Sequence, residues 1–256
     1  MPSTLLNMYV HNIDPTLFSI GFLEIRFYGI VYALGFLLVY WLIFRRRKEL
    51  GIDRNQIDNL MIFLFIGLLV GARIFHFLFS EPFIFFQSPL ELFKLWHGGM
   101  SFFGALVGIF IACVYYLKKL KLDWRKFADV IVIGVTIALV FGRIANFING
   151  ELVGTASNLP WCVIFSQIDY VCRHPYQIYA SISHALLFGV LMLAERVKER
   201  KDGFVFFVFL VGYSLLRFIT DFWRMDVSFF GLTVWQYVCL VVIVISIYIW
   251  KKYRKS

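Results

Sequence analysis

The sequence predicts an all-α integral membrane protein of about seven transmembrane helices, with the N-terminus outside and the C-terminus in the cytoplasm. Three observations carry this. Of 256 residues, 61% are hydrophobic and 16% are charged, more apolar surface than a soluble domain of this size hides. The apolar residues come in blocks of about 18 to 23, the length that crosses a hydrocarbon layer of about 30 Å. The basic residues alternate between connections, crowded in every second one.

The blocks place spans at 26–44, 57–79, 100–117, 128–148, 176–194, 204–222 and 233–250. Arg45, Arg46, Arg47, Lys48 and Arg54 follow the first, and Lys118, Lys119, Lys121, Arg125 and Lys126 follow the third. Arg196, Lys198, Arg200 and Lys201 follow the fifth, and Lys251, Lys252, Arg254 and Lys255 form the tail. The alternate connections hold Lys94, Arg173 and Arg224 alone. Cationic loops stay on the cytoplasmic side, which sets the orientation. The net charge of +9 is therefore explained by topology and anionic membrane lipid, and no nucleic-acid partner is expected. The first 20 residues lack the basic, apolar and small-residue segments of a cleavable signal peptide. No repeat or linker interrupts the chain, so residues 1–256 read as one polytopic domain.

The outer connections, 80–99 and 149–175, are longer and richer in Pro, Gly, Trp and amides than the inner ones, as loops that carry function are. Pro82 to Trp96 is amphipathic and suits either an interfacial segment or an ordinary connection. Cys113 and Cys239 fall in spans as small packing residues. Cys162 and Cys172 share one outer loop and are a possible disulfide on an oxidising face. No Cys/His cluster has metal-ligand spacing, so neither metal nor other cofactor is expected.

A charge at the bilayer centre costs about 2.5–3.5 kcal/mol even on insertion scales, yet Arg73, Arg143 and Arg217 fall in spans. Arg143 and Asn146, one turn apart, share a helix face, and Asn149, Gly150 and Glu151 end that span. Tyr213, Arg217 and Asp221, spaced by four, form one polar stripe. Arg217 and Asp221 also fit a self-neutralising pair. Together Arg143 and Arg217 form a two-arginine clamp for phosphate oxygens. Tyr28 falls at the outer end of the first span, where a belt tyrosine also fits. Gly98, Gly99 and Ser101, after His97, make a tight turn into the third span. His76 follows Arg73 by one turn, and Gln177 opens the fifth span.

These segments resemble the prolipoprotein diacylglyceryl transferase family. Phe141 to Glu151 is similar to its signature G-R-x-G-N-F-I-N-G-E. Shorter matches run along nearly the whole chain: Phe27-Tyr28-Gly29, Val70-Gly71-Ala72-Arg73, His97-Gly98-Gly99-Met100-Ser101-Phe102, His174-Pro175-x-Gln177-x-Tyr179, and Arg217-Phe218-x-x-Asp221-Phe222-x-Arg224. The resemblance implies transfer of a diacylglyceryl group from phosphatidylglycerol to the lipobox cysteine thiol of a prolipoprotein signal peptide in the cell inner membrane, releasing glycerol phosphate. It implies that Arg143 holds the phosphate, that Asn146 and Glu151 shape the headgroup site, and that Tyr28 and Arg217 are needed for activity. Arg73, Asn149, Gly150, Gly98, Gly99, Ser101 and Gln177 are the further substrate-binding candidates, and His97 and Asp221 join the catalytic set. The family pattern has histidine where Phe103 stands, glutamate where Asp221 stands, glycine for Ala145 and an acid for Ala180. The base is then sought at His76, His97 or a tyrosine beside an arginine. An anion transporter or channel, or an inactive or lipid-altered relative, is the alternative.

Overall fold

The computed structural model describes residues 9–20, 23–79, 81–82, 87–94 and 99–255. Seven long helices stand where the apolar blocks predict them: α1 Phe27–Arg45, α2 Arg54–Phe79, α3 Phe102–Lys119, α4 Trp124–Ile148, α5 Tyr176–Glu195, α6 Phe204–Thr220 and α7 Val234–Lys255. Five are long and apolar enough to cross a membrane among the described residues, and Gly29–Arg45 is a shorter apolar helix. Many of their large apolar side chains face outward, among them Leu37, Ile111, Leu186 and Val244, as lipid-facing walls require.

Two helices begin earlier than hydropathy suggests, because acids cap them. Asp53 accepts from Gln56 N at 2.8 Å while Gln56 Oε1 accepts from Asp53 N at 3.1 Å, a reciprocal capping box that starts α2 at Arg54. Asp123 accepts from Arg125 N at 3.0 Å and starts α4 at Trp124. The Arg125 guanidinium, on the same carboxylate at 2.8 Å, holds the Asp123 acid below its ordinary range.

The chain divides into two compact units, Tyr40–Phe127 and the combination of Met1–Val39 with Ala128–Ser256. The Tyr40–Phe127 unit is built on the crossing of α2 and α3. Gly67 and Gly71 on α2 meet Gly104 and Gly108 on α3. A Cβ on Gly67 would lie 2.6 Å from the Gly108 carbonyl oxygen, and one on Gly71 would overlap the Gly104 carbonyl. Small residues four apart on both helices let the backbones touch, which is how helices associate where water supplies no driving force.

The larger unit carries α5, α6 and α7 and most of the short strands. β1 (Tyr9–His11) runs parallel to β4 (Val163–Phe165), and β4 pairs antiparallel with β5 (Cys172–Arg173). β2 (Thr16–Ile20) and β3 (Leu23–Arg26) form a hairpin leading into α1, and β6 (Ser228–Phe229) with β7 (Leu232–Thr233) forms another between α6 and α7. Val153, Val163 and Phe165 with Phe147 make a small core under the 149–175 connection. Cys162 and Cys172 are joined by a disulfide, Cα–Cα 5.5 Å. At the other end, buried Asp129 of α4 accepts from Gly203 N at 2.9 Å and Phe206 N at 2.8 Å, capping α6 from a neighbouring helix.

Candidate active site

The last turn of α4 builds the first half of the site. Asn149-Gly150 stops the helix in a Schellman arrangement: Gly150 N donates to Phe147 O at 3.0 Å and Glu151 N to Asn146 O at 3.1 Å. Gly150 has φ +65, the left-handed conformation glycine adopts without a Cβ penalty. This turn folds Glu151 back over the helix end. The result is a chain of polar contacts. Arg143 Nη1 donates to Asn146 Oδ1 at 3.3 Å, and Asn146 Nδ2 to Glu151 Oε1 at 2.7 Å. Asn149 Nδ2 approaches the same oxygen at 3.4 Å. Gln177 Nε2, from the first turn of α5, donates to the Glu151 carbonyl at 2.7 Å. Two buried oxygens here, Asn149 Oδ1 and Gln177 Oε1, have no partner among the described residues.

The second half comes from α6. Arg217 Nη1 donates to Tyr213 OH at 3.0 Å. Arg217 Nε stands 3.5 Å from Asp221 Oδ2. At that distance charge rather than a well-formed hydrogen bond links them, and Asp221 Oδ2 counts as unbonded. Asp221 Oδ1 accepts from Tyr176 OH at 2.7 Å, inside the protein. Tyr176 thus ties the polar stripe of α6 to α5. Tyr176 and Gln177, neighbours in the first turn of α5, therefore hold both arginine-bearing halves, Tyr176 through Asp221 and Gln177 through the Glu151 carbonyl.

Backbone pairing holds the halves together. Gly154 N donates to His174 O at 3.2 Å, Thr155 N to Trp223 O at 2.9 Å, and Met225 N to Val153 O at 3.0 Å. The chain after Glu151 is stitched to the residues that open α5 and to those that close α6. A Cβ on Gly154 would lie 2.7 Å from the Trp223 carbonyl oxygen, so this position needs glycine for close approach. Tyr179 OH accepts from Trp161 Nε1 at 2.7 Å and is 3.2 Å from His174 Nδ1, fastening the disulfide loop to α5.

Residues 15–251 match the family model of prolipoprotein diacylglyceryl transferase. The chain belongs to that family. Phosphatidylglycerol–prolipoprotein diacylglyceryl transferase of Geobacter sulfurreducens is 36% identical over 219 residues, covering 85% of this chain and 84% of the relative. The protein of the same name in Polynucleobacter asymbioticus is 33% identical over 256 residues, covering 96% and 98%. That in Pseudoalteromonas atlantica is 39% identical over 221 residues, covering 86% and 79%. The chain is thus a multi-pass membrane protein of the transferase family that serves lipoprotein biogenesis.

The remaining candidates of the prolipoprotein diacylglyceryl transferase pattern sit in the Tyr40–Phe127 unit or outside the described residues. Arg73 is buried, and its guanidinium nitrogens donate to four backbone carbonyls: Leu92 at 3.2 Å, Gly99 at 3.0 Å, Glu91 at 2.5 Å and Lys94 at 2.9 Å. This cation gathers carbonyls of the 3-10 turn Pro89–Phe93, of Lys94 and of Gly99. Ser101 caps α3, its hydroxyl accepting from Gly104 N at 3.3 Å. Gly99, with φ +73, is covered by the His76 ring, which lies 3.7 Å from Glu81. His97, Gly98 and the side chains of Tyr28 and Phe103 lie outside the described residues, as do residues 83–86, 95 and 96 of Pro82–Trp96. Tyr176 escaped the sequence reading. Its signal was its place next to Gln177 at the start of α5.

Proposed function

We propose that the chain transfers a diacylglyceryl group from phosphatidylglycerol to the thiol of a lipobox cysteine in a prolipoprotein signal peptide, and releases glycerol phosphate. The observation that carries this is that Tyr176 and Gln177, adjacent at the start of α5, join the Arg217–Asp221 stripe to the Arg143–Asn146–Glu151 turn. The reaction displaces a phosphate ester from a glycerol carbon, so charge develops on the departing phosphate. Two fixed guanidinium groups suit that charge and stay ionised when poorly hydrated. The headgroup's glycerol hydroxyls are donors, and Asn149 Oδ1 and Gln177 Oε1 are buried acceptors in need of them. Asn146 and Glu151 orient Arg143 through the contacts above, and Asp221 with Tyr213 orients Arg217. Gly150 forms the turn, and Arg73, Ser101, His97, Gly98, Gly99 and Tyr28 join the proposed set by their match to the family pattern.

The same reading places the chain in the cell inner membrane as one domain with seven crossings, N-terminus outside. Support comes from two independent features: the cationic loops gather at alternate helix ends, and the disulfide joins a loop of the opposite set, where an oxidising face permits it. Lipid then enters sideways from the outer leaflet.

The test uses purified protein in detergent with phosphatidylglycerol and a lipobox peptide, read by the mass of the diacylglyceryl peptide and by released glycerol phosphate. Wild type yields both. Arg143→Ala lowers the rate by at least about 10²-fold, the loss typical of one removed charge-stabilising donor, while the protein still inserts. Full activity in Arg143→Ala removes Arg143 from the site, and wild type inert with every lipid tried overturns the function.

A further inference from the structure

An apolar cavity stands beside Arg217 and has no part in the site described above. Its volume is about 490 Å³, the size of a small-ligand pocket. Val227 and Phe229 of the β6–β7 hairpin line it, with Val234, Trp235 and Tyr237 of the first turn of α7. Three contacts fix this wall. Tyr237 OH donates to the Phe229 carbonyl at 3.0 Å. Gln236 Oε1 accepts from Thr233 N at 2.8 Å and Thr233 Oγ1 from Gln236 N at 3.2 Å, a capping box that starts α7. Gln236 Nε2 donates to the Phe218 carbonyl at 3.0 Å, which ties this turn to α6 one residue from Arg217. Trp235 belongs to both places. It lines the cavity, and the Arg217 guanidinium carbon lies 5.8 Å from its ring centroid, within reach of cation–π attraction. Val227, Phe229 and Val234 are exposed, a surface that suits an apolar partner.

We infer that this cavity seats an apolar side chain of the signal-peptide segment that precedes the lipobox cysteine, and so holds the acceptor beside Arg217. The inference rests on the transferase reading above and on its outside-N orientation. Two observations choose the peptide over a lipid tail. The first is depth. The wall is built from residues beyond Thr220, where α6 ends, and from Val234 onward, where α7 begins. Lipid tails run from the headgroup toward the bilayer centre, along the helices and away from this end. A secreted precursor carries an apolar run that leads through the membrane to a cysteine at the outer end. The second is charge. Asp226 is the charged residue in the wall. Its Oδ1 accepts from Val227 N at 2.9 Å, and its Oδ2 stands 3.7 Å from Arg224. A carboxylate there disfavours an anionic headgroup and keeps acceptor capacity for a peptide N–H. With the lipid phosphate on Arg217 and the peptide side chain against Trp235, the two substrates meet across one indole.

The test uses the full-length protein in detergent. A lipobox peptide carries a photoreactive leucine at each position before the cysteine in turn, and in a parallel arm phosphatidylglycerol carries a photoreactive acyl chain. Labelled residues are mapped by mass spectrometry. The peptide labels Val227, Phe229, Val234 or Tyr237, and the lipid labels elsewhere. Kinetics give a second reading. Val234 is 60% exposed, so Val234→Trp fills the cavity without disturbing the core. It raises the KM for the peptide by at least about 10-fold, the loss of one buried leucine-sized side chain. The kcat and the KM for phosphatidylglycerol change little, the pattern of lost binding alone. Replacing leucine by alanine at the labelling position of the peptide costs the wild type a similar factor and costs Val234→Trp little. Peptide labels confined to other residues, lipid labels in the cavity, or a raised KM for phosphatidylglycerol with that for the peptide unchanged overturn the inference. Should Val234→Trp not fold, the wild-type labels decide. Labelling of the cavity by the peptide without any transfer removes the transferase reading and leaves the docking site standing, so the two failures are distinct.

Discussion

Tyr176 shows how one hydroxyl sets the electrostatics of the site. Its hydrogen bond to Asp221 Oδ1 gives a buried carboxylate the partner that Arg217, 3.5 Å away, supplies incompletely. Removing a donor from a buried acceptor costs about 1–3 kcal/mol. Tyr176→Phe is therefore expected to lower stability by that amount, read by thermal unfolding in detergent. The loss should shrink when Asp221→Ala is already present, because the two residues share one contact. Full additivity would mean they act separately. The sequence shows Arg143, Asn146, Arg217 and Asp221 through their helical spacing, since a polar stripe on an apolar helix stands out by contrast. Tyr176 is quieter, because a lone aromatic on a helix is ordinarily core. Only its tertiary partner reveals it. Arg73 illustrates the converse: an intramembrane cation that reads as a ligand for substrate has its guanidinium on four carbonyls.

At the scale of elements, hydropathy found the long helices among the described residues but not where α2 and α4 begin. The ladder of backbone hydrogen bonds continues past the hydrocarbon edge until a cap stops it, so Asp53 and Asp123 place the starts of α2 and α4. Asp129 is an acid that hydropathy counts as a cost and the fold uses as a cap. Asp129→Ala frees the Gly203 and Phe206 amides, and a drop of about 1–2 kcal/mol, the size of a lost helix cap, is expected in stability. An unchanged unfolding temperature would show that α6 needs no such support. The strands β1, β4 and β5 were not visible in advance, because runs of two or three residues carry no readable alternation. On the connection they frame, Arg173 pairs with Asp169 through two hydrogen bonds, which hold the Asp169 carboxyl below its ordinary range. A depressed acid contributes stability above its unfolded value and loses it as pH falls through its folded value. The disulfide loop should therefore resist proteolysis through about pH 4, the usual carboxylate range, and loosen at lower pH. Loosening already at pH 5 would contradict the pairing.

At the scale of the whole molecule, the proposed orientation rests on the cations at alternate helix ends, and within the larger unit the disulfide loop, the Asn149–Glu151 turn and the end of α6 are knitted together by backbone pairing. That stitching brings the ends of α4 and α6 that bear Arg143 and Arg217, far apart in sequence, to the same turn of α5. Such pairing depends on main-chain groups of Val153, Gly154 and Thr155, whose identities say little, so the sequence suggests a shared site without showing what joins it. The central claim is that guanidinium groups inside the bilayer grip an anionic headgroup. Native mass spectrometry of the detergent-purified protein, titrated with phosphatidylglycerol and with zwitterionic phosphatidylethanolamine, tests it most directly. The account predicts one retained phosphatidylglycerol that Arg143→Ala and Arg217→Ala each release, with phosphatidylethanolamine bound weakly throughout. Equal retention of phosphatidylglycerol by wild type and both variants would contradict it.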